Sequence, residues 1–135
     1  MTIAHSMALQ KAVIARLRDD AGLIALLGGA HVHDHVARGM RPPYVALARF
    51  ESRDLGSSAA DGAEHRFTLH VWPELQGRAQ AHAIAAAIET ALAAPMTLHG
   101  AALVNIAVTG WDTTRIDKDR YRGALTFRAV TEAAA

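Results

Sequence analysis

Three imidazoles and a carboxylate fall within five residues at His31-Val32-His33-Asp34-His35. In an extended backbone alternate side chains share a face, so His31, His33 and His35 would project together. Such a cluster could offer nitrogen ligands to a zinc ion and make a small metal-dependent hydrolase. The run is one residue short of a His-x-His-x-Asp-His ligand pattern, and no further histidine or carboxylate set completes a site, so we read these side chains as structural or surface histidines. Ser57 and Ser58, with Asp54, Asp61, Glu64 and His65, supply the residue types of a Ser-His-acid triad. They crowd into a polar stretch with no Gly-x-Ser-x-Gly elbow to fix the nucleophile, which describes a solvated loop. Asp117 and Asp119 flank the start of a strand, where paired aspartates mark a turn more often than an acid and base. No catalytic, cofactor-binding or metal-ligating residue is assigned on these patterns.

Basic residues form two groups. Arg38, Arg41, Arg49, Arg53 and Arg66 lie near one expected hairpin, and Arg115, Lys118, Arg120, Arg122 and Arg128 surround another. They could meet phosphates, but 14 Lys and Arg against 13 Asp and Glu leave a formal charge of +1 and no long-range field of one sign. Aromatic residues make up only 5% of the chain, too few for a base-stacking platform. The arginines are read as charged strand faces and edges that prevent indiscriminate pairing. With no cysteine there are no disulfides, thiolate nucleophiles or sulfur-bound zinc, a composition that suits a reducing cytoplasm. No apolar run approaches membrane-spanning length, and no membrane partner is expected. At 135 residues, 51% apolar and 20% charged, the chain is expected to fold as a single domain over 1–135.

The elements that must position these groups follow from periodicity. Ile3, Met7, Val13, Ile14 and Leu17 recur at helical steps from Ile3 to Arg18, with Thr2 or Ser6 as cap. Leu23 to Leu27 reads as a short apolar turn stopped by Gly28-Gly29, and His31 to Val36 as a short extended segment. Two prolines make 38–43 a loop. Strands are expected at Tyr44 to Arg53 and Glu64 to Trp72, joined by a mobile hairpin loop from Asp54 to Gly62. In the second strand Phe67, Leu69 and Val71 point one way, and Arg66, Thr68, His70 and Trp72 the other. Ala79, Ala83, Ile84, Ala87, Ile88, Ala91 and Leu92 give a helix over Gln76 to Ala93. Leu103 to Thr109, extending toward Trp111 or Asp112, and Arg120 to Thr131 complete the set. The order lacks βαβ alternation, so the expected fold class is α+β, an antiparallel sheet of four to five strands covered on one face by two helices.

Four landmarks carry a family likeness across nearly the whole chain: His33-Asp34-His35-Val36 leading to Pro43-Tyr44-Val45, His70-Val71-Trp72-Pro73, Gly77 opening an alanine-rich helix, and Asp119 to Arg128 near the end. Their order and spacing resemble the tail terminators, or tail-completion proteins, of long-tailed phages and gene transfer agents. The chain departs from commoner members in having His33 where an aromatic is frequent and Pro73 where serine is frequent. The resemblance implies a structural virion protein without catalytic residues, assembled in the host cytoplasm and placed at the head-proximal end of the tail. There it would form a homo-oligomeric, hexameric ring that caps the tail tube protein and docks the head connector or stopper. In such a ring the arginines could form salt links between neighbours or line a lumen through which DNA passes without sequence readout. Tyr44, Trp72 and Arg122 are the expected subunit contacts, and the Asp54 to Gly62 loop, with Asp54 and Asp61, is expected to order on assembly. A head-completion protein, a tube subunit, or the metal-dependent hydrolase built on His31, His33 and His35 are the alternatives.

Overall fold

The computed structural model describes residues 2–36, 38–56, 61–74 and 77–134. Three helices, α1 (Thr2–Arg18), α2 (Ala21–Leu27) and α3 (Arg78–Ala93), accompany five strands, β1 (Val32–His33), β2 (Tyr44–Asp54), β3 (Ala63–Trp72), β4 (Ala101–Arg115) and β5 (Tyr121–Ala133). The sheet runs β1-β2-β3-β5-β4. All neighbours are antiparallel except β1 and β2, which are parallel. The α+β expectation holds, with one parallel pair and a third helix added. Leu23 to Leu27 is part of that helix rather than a turn. Asp20 caps it by accepting from the Leu23 N–H at 2.9 Å, and Gly28, at φ 76°, ends it.

The inner sheet face and the helices share one apolar cluster. Phe50, Phe67 and Phe127 pair across β2, β3 and β5 and stack with ring centroids 5.3 and 5.2 Å apart. Leu9, Val13 and Leu17 of α1, and Ile84, Ile88 and Leu92 of α3, close over them. Arg16 fixes the two helices to each other by donating to the carbonyls of Ala91 (2.9 Å) in the last turn of α3 and of Ala94 (3.3 Å) and Pro95 (2.7 Å) just past its end. A guanidinium there also suits the negative end of the helix dipole. On β5, Gly123 lies under Trp111, and a Cβ at that position would overlap the indole.

Two helix faces differ from the periodic reading. In α1 the buried series is His5, Leu9, Val13 and Leu17, while Ile3 is 80% and Met7 53% exposed. His5 sets the orientation of the first turns because it is hydrogen-bonded inside, where a polar residue was not expected. In α3, Ala81 and Ala85 face inward and Ala79 and Ala83 do not. A methyl side chain carries too little apolar area to fix a helix's rotation, so the isoleucines and Leu92 decide it.

Candidate assembly surface

No described helix covers the other side of the sheet, and the strand register writes its surface in rows. Tyr44 is beside Trp72 at one end. Ala46, His70, Ala124 and Asp112 follow, then Arg49, Thr68, Thr126 and Gly110, then Glu51, Arg66, Arg128 and Ala107. Arg53, Glu64, Val130 and Asn105 make the last of these rows, close to the hairpin that joins β2 to β3.

At the first end the sheet gathers aromatic rings and, among the described residues, two unpaired donors. Tyr44 stacks on Trp72 at 6.2 Å and 25°, His33 meets Tyr44 edge-on at 6.5 Å, and His70 meets Trp72 edge-on at 6.4 Å. Arg122 occupies the position on β5 beside Trp72, one residue beyond the Val71 to Gly123 pair and on the same face. Burial raises the Tyr44 hydroxyl pKa, against the pull of Arg120. Burial, then the charge of Arg122, lowers that of His70, with Asp112 opposing. Trp72 Nε1 and Arg122 Nε are closed off from solvent and have no hydrogen-bond partner among the described residues. The three residues expected at a subunit contact therefore sit together, although 78 positions separate the first from the last in sequence (122 − 44).

Toward the hairpin, charge is satisfied internally. Glu64 accepts from Arg53 at 3.1 Å, Arg66 at 3.5 Å and Arg128 at 2.7 Å. The Arg128 hydrogen bond, with Arg53 behind it, holds this carboxyl below its ordinary range, against the opposing effect of desolvation. Guanidinium groups rather than apolar packing shut Glu64 from water. Arg49 pairs with Glu51 at 3.0 Å. Asp54 belongs to β2, still paired with Ala63, and accepts from the Gly56 N–H at 3.2 Å. Each strand thus runs one residue past its expected end at the hairpin, and Leu55 N–H bonds Gly62 O at 3.0 Å. Residues 57–60, which include Ser57 and Ser58, lie outside the described residues. Asp61 lies 3.6 Å from His5 Nε2, so it meets α1 and is well away from Tyr44.

Sequence reasoning missed a buried polar line on the inner face. Ser52 Oγ is 2.7 Å from His65 Nδ1, His65 Nε2 is 2.8 Å from Thr131 Oγ1, and Thr131 Oγ1 is 3.0 Å from His5 Nδ1. Burial, then the nearby His5, lowers the His65 pKa to about 4, with Glu64 opposing. Alternation along β3 holds the signal for this: residue 65 has the same parity as Phe67, Leu69 and Val71, which places an imidazole in the core.

The structure does not bring His31, His33 and His35 together as ligands. β1 ends at His33, and His35 pairs with the adjacent Asp34 at 2.6 Å. Among the described residues no group of three His, Cys, Asp or Glu side chains could hold a metal ion. His33 has a lowered pKa, first from its burial and then from Arg18, His31 and His35, against Asp34. Asp117 closes a turn, accepting from the N–H groups of Asp119 (3.0 Å) and Arg120 (2.9 Å). Of the basic residues around the last hairpin, Arg115 donates to the carbonyls of Asp117 and Lys118, and Arg120 to the Asp117 carboxylate.

The family described as Tail completion protein gp17 matches residues 11–132. A chain in the structure of the virion of a native gene transfer agent particle is 37% identical, with a TM-score of 0.84, and the match covers 94% of this chain and 96% of that one. The bacteriophage SPP1 gp17 protein shares the fold at 22% identity and a TM-score of 0.57, over 93% of this chain and 89% of its own. No curated protein matches in sequence. With a family match over most of its length and a virion chain more than a third identical, this chain belongs to the tail-completion protein family.

Proposed function

We propose that this chain is a tail terminator: a single structural domain, without catalysis, that closes into a homo-oligomeric ring, caps the tail tube and presents the head connector with a different surface. The observation that carries the reading is the end-to-end likeness to a chain of a gene transfer agent virion. The sheet's helix-free face fits the task. A capping ring must complement the tube end once and then offer something unlike it, so it needs two dissimilar surfaces. In this reading Tyr44, Trp72 and Arg122 form the subunit contact at one end of the sheet. Asp54, Asp61 and the hairpin between them form a second contact at the other end. The ring is hexameric in this proposal, by the family likeness.

Electron microscopy of particles made without this protein tests the role. Tails of uncontrolled length, detached from full heads, are expected. Normal tails joined to heads would remove the terminator assignment. Purified chain that polymerises into open tubes would make it a tube subunit instead.

A further inference from the structure

Two N–H groups on the outer face have no acceptor among the described residues. Trp72 Nε1 and Arg122 Nε lie at neighbouring positions on β3 and β5, closed off from solvent and unbonded. Both groups can only donate, and the guanidinium keeps its positive charge at any pH the fold survives. A buried donor left unmade costs stability, so a chain holding two side by side gives up free energy that a suitable acceptor would return. Their surroundings fix the sign of that acceptor. Arg122 depresses His70 and Arg120 acts on Tyr44, so the local charge is positive, with the Asp112 carboxylate opposing at His70.

We propose that Trp72 Nε1–H and Arg122 Nε–H together receive a carboxylate from an acidic side chain of an adjoining protein in the assembled particle. This rests on the reading of the Tyr44 end as an assembly contact and names the chemistry that contact takes. Arg122 is only part buried. Its long side chain can change rotamer to meet a partner, and its Nε–H makes no bond among the described residues that such a movement would break. Charge-assisted bonds to a carboxylate then form where water is excluded, the setting in which they hold a complex most strongly.

The experiment uses particles. Arg122→Lys keeps the charge and introduces a primary amine, which carbodiimide couples directly to a carboxylate held against it. Particles assembled with this variant are treated with carbodiimide and digested, and the peptides are read by mass spectrometry. A cross-link from position 122 to an Asp or Glu of an adjoining chain is expected. Particles that contain the variant but give no such link, or that couple position 122 to nucleic acid, overturn the proposal. A second arm co-expresses tagged variants with the wild-type chain and measures their ratio in purified particles. Trp72→Phe keeps the ring and loses the donor; its incorporation should fall about tenfold while its melting temperature stays at or above wild type. Full incorporation of Trp72→Phe with loss of Tyr44→Ala would retain the contact and reject the carboxylate. Full incorporation of both would reject the contact reading as well.

Discussion

On the inner face of the sheet Ser52, His65, Thr131 and His5 bond one another in a line, whereas on the outer face of the same strands Trp72 and Arg122 hold donors with no acceptor among the described residues. His65, Thr131 and His5 are buried, and so are the two outer N–H groups. The inner line is complete within one chain: a neutral His65 accepts at one ring nitrogen and donates at the other, so Ser52 and Thr131 each meet one of them, and Thr131 Oγ1 also meets His5 Nδ1. Each contact has one hydrogen, the arrangement that keeps His65 neutral. The outer pair finds no such partner among the described residues. Polar groups that serve the fold are thus satisfied on the helix side, and those left over collect at one end of the other side. That separation is the physical content of calling one face core and the other an assembly surface.

The comparison is broken most directly from the inner side. Phe67 lies between Phe50 and Phe127 and is 1% exposed, so Phe67→Ala should destabilise the chain by about 3–5 kcal/mol in urea unfolding. A loss under about 1 kcal/mol would show that the aromatic row is not the centre of the core. Next comes pH. His65 ordinarily titrates at 6.5 and is lowered to about 4 in the fold, so between these values the unfolded chain binds more protons. Stability is therefore complete above pH 6.5 and falls as pH drops toward 4, by at most about 3 kcal/mol from this group. Glu64, also lowered, contributes its loss only below the ordinary carboxylate value of 4.5. Melting curves across this range should show two separated declines, and His65→Gln should flatten the upper one. A single decline confined below pH 4.5 would contradict the buried neutral imidazole.

A smaller effect is expected from Thr131→Val, which keeps shape and removes the hydroxyl between two imidazoles. His65 Nε2 and His5 Nδ1 both lose their partner in the core, at about 2 kcal/mol by chemical denaturation. An unchanged midpoint would mean that the line contributes no stability.

Much of this arrangement was legible in the sequence, and the failures share a cause. Strand alternation put Phe67, Leu69 and Val71 inside and Trp72 outside because strand period and side-chain size agree there. The orientation of α1 was misread because Ile3 and Met7 were placed on the apolar stripe and His5 was left off it, yet the histidine is buried by a bond to Thr131, 126 residues away. No local pattern encodes a partner at that distance. The alanines of α3 were misassigned because a methyl group hardly favours one side. At the candidate surface the grouping of Tyr44, Trp72 and Arg122 followed from the family likeness. Their shared orientation and the unbonded donors needed the register of three strands at once.

The smallest expected effect sharpens the comparison best, because it makes the same substitution on the opposite face. Thr126 lies on β5 between the inward residues Leu125 and Phe127, with its hydroxyl 3.2 Å from that of Thr68 on the neighbouring strand. Thr126→Val removes a hydroxyl just as Thr131→Val does, in the same strand and five residues earlier (131 − 126). Here the deserted partner is a rotatable Thr68 hydroxyl on a face without helices, able to turn toward water. Valine, moreover, suits a strand at least as well as threonine. Stability should stay within about 0.5 kcal/mol of wild type. If Thr126→Val instead cost as much as Thr131→Val, the outer face would already be as closed in the free chain as the inner one, and the distinction between core and assembly surface would fail.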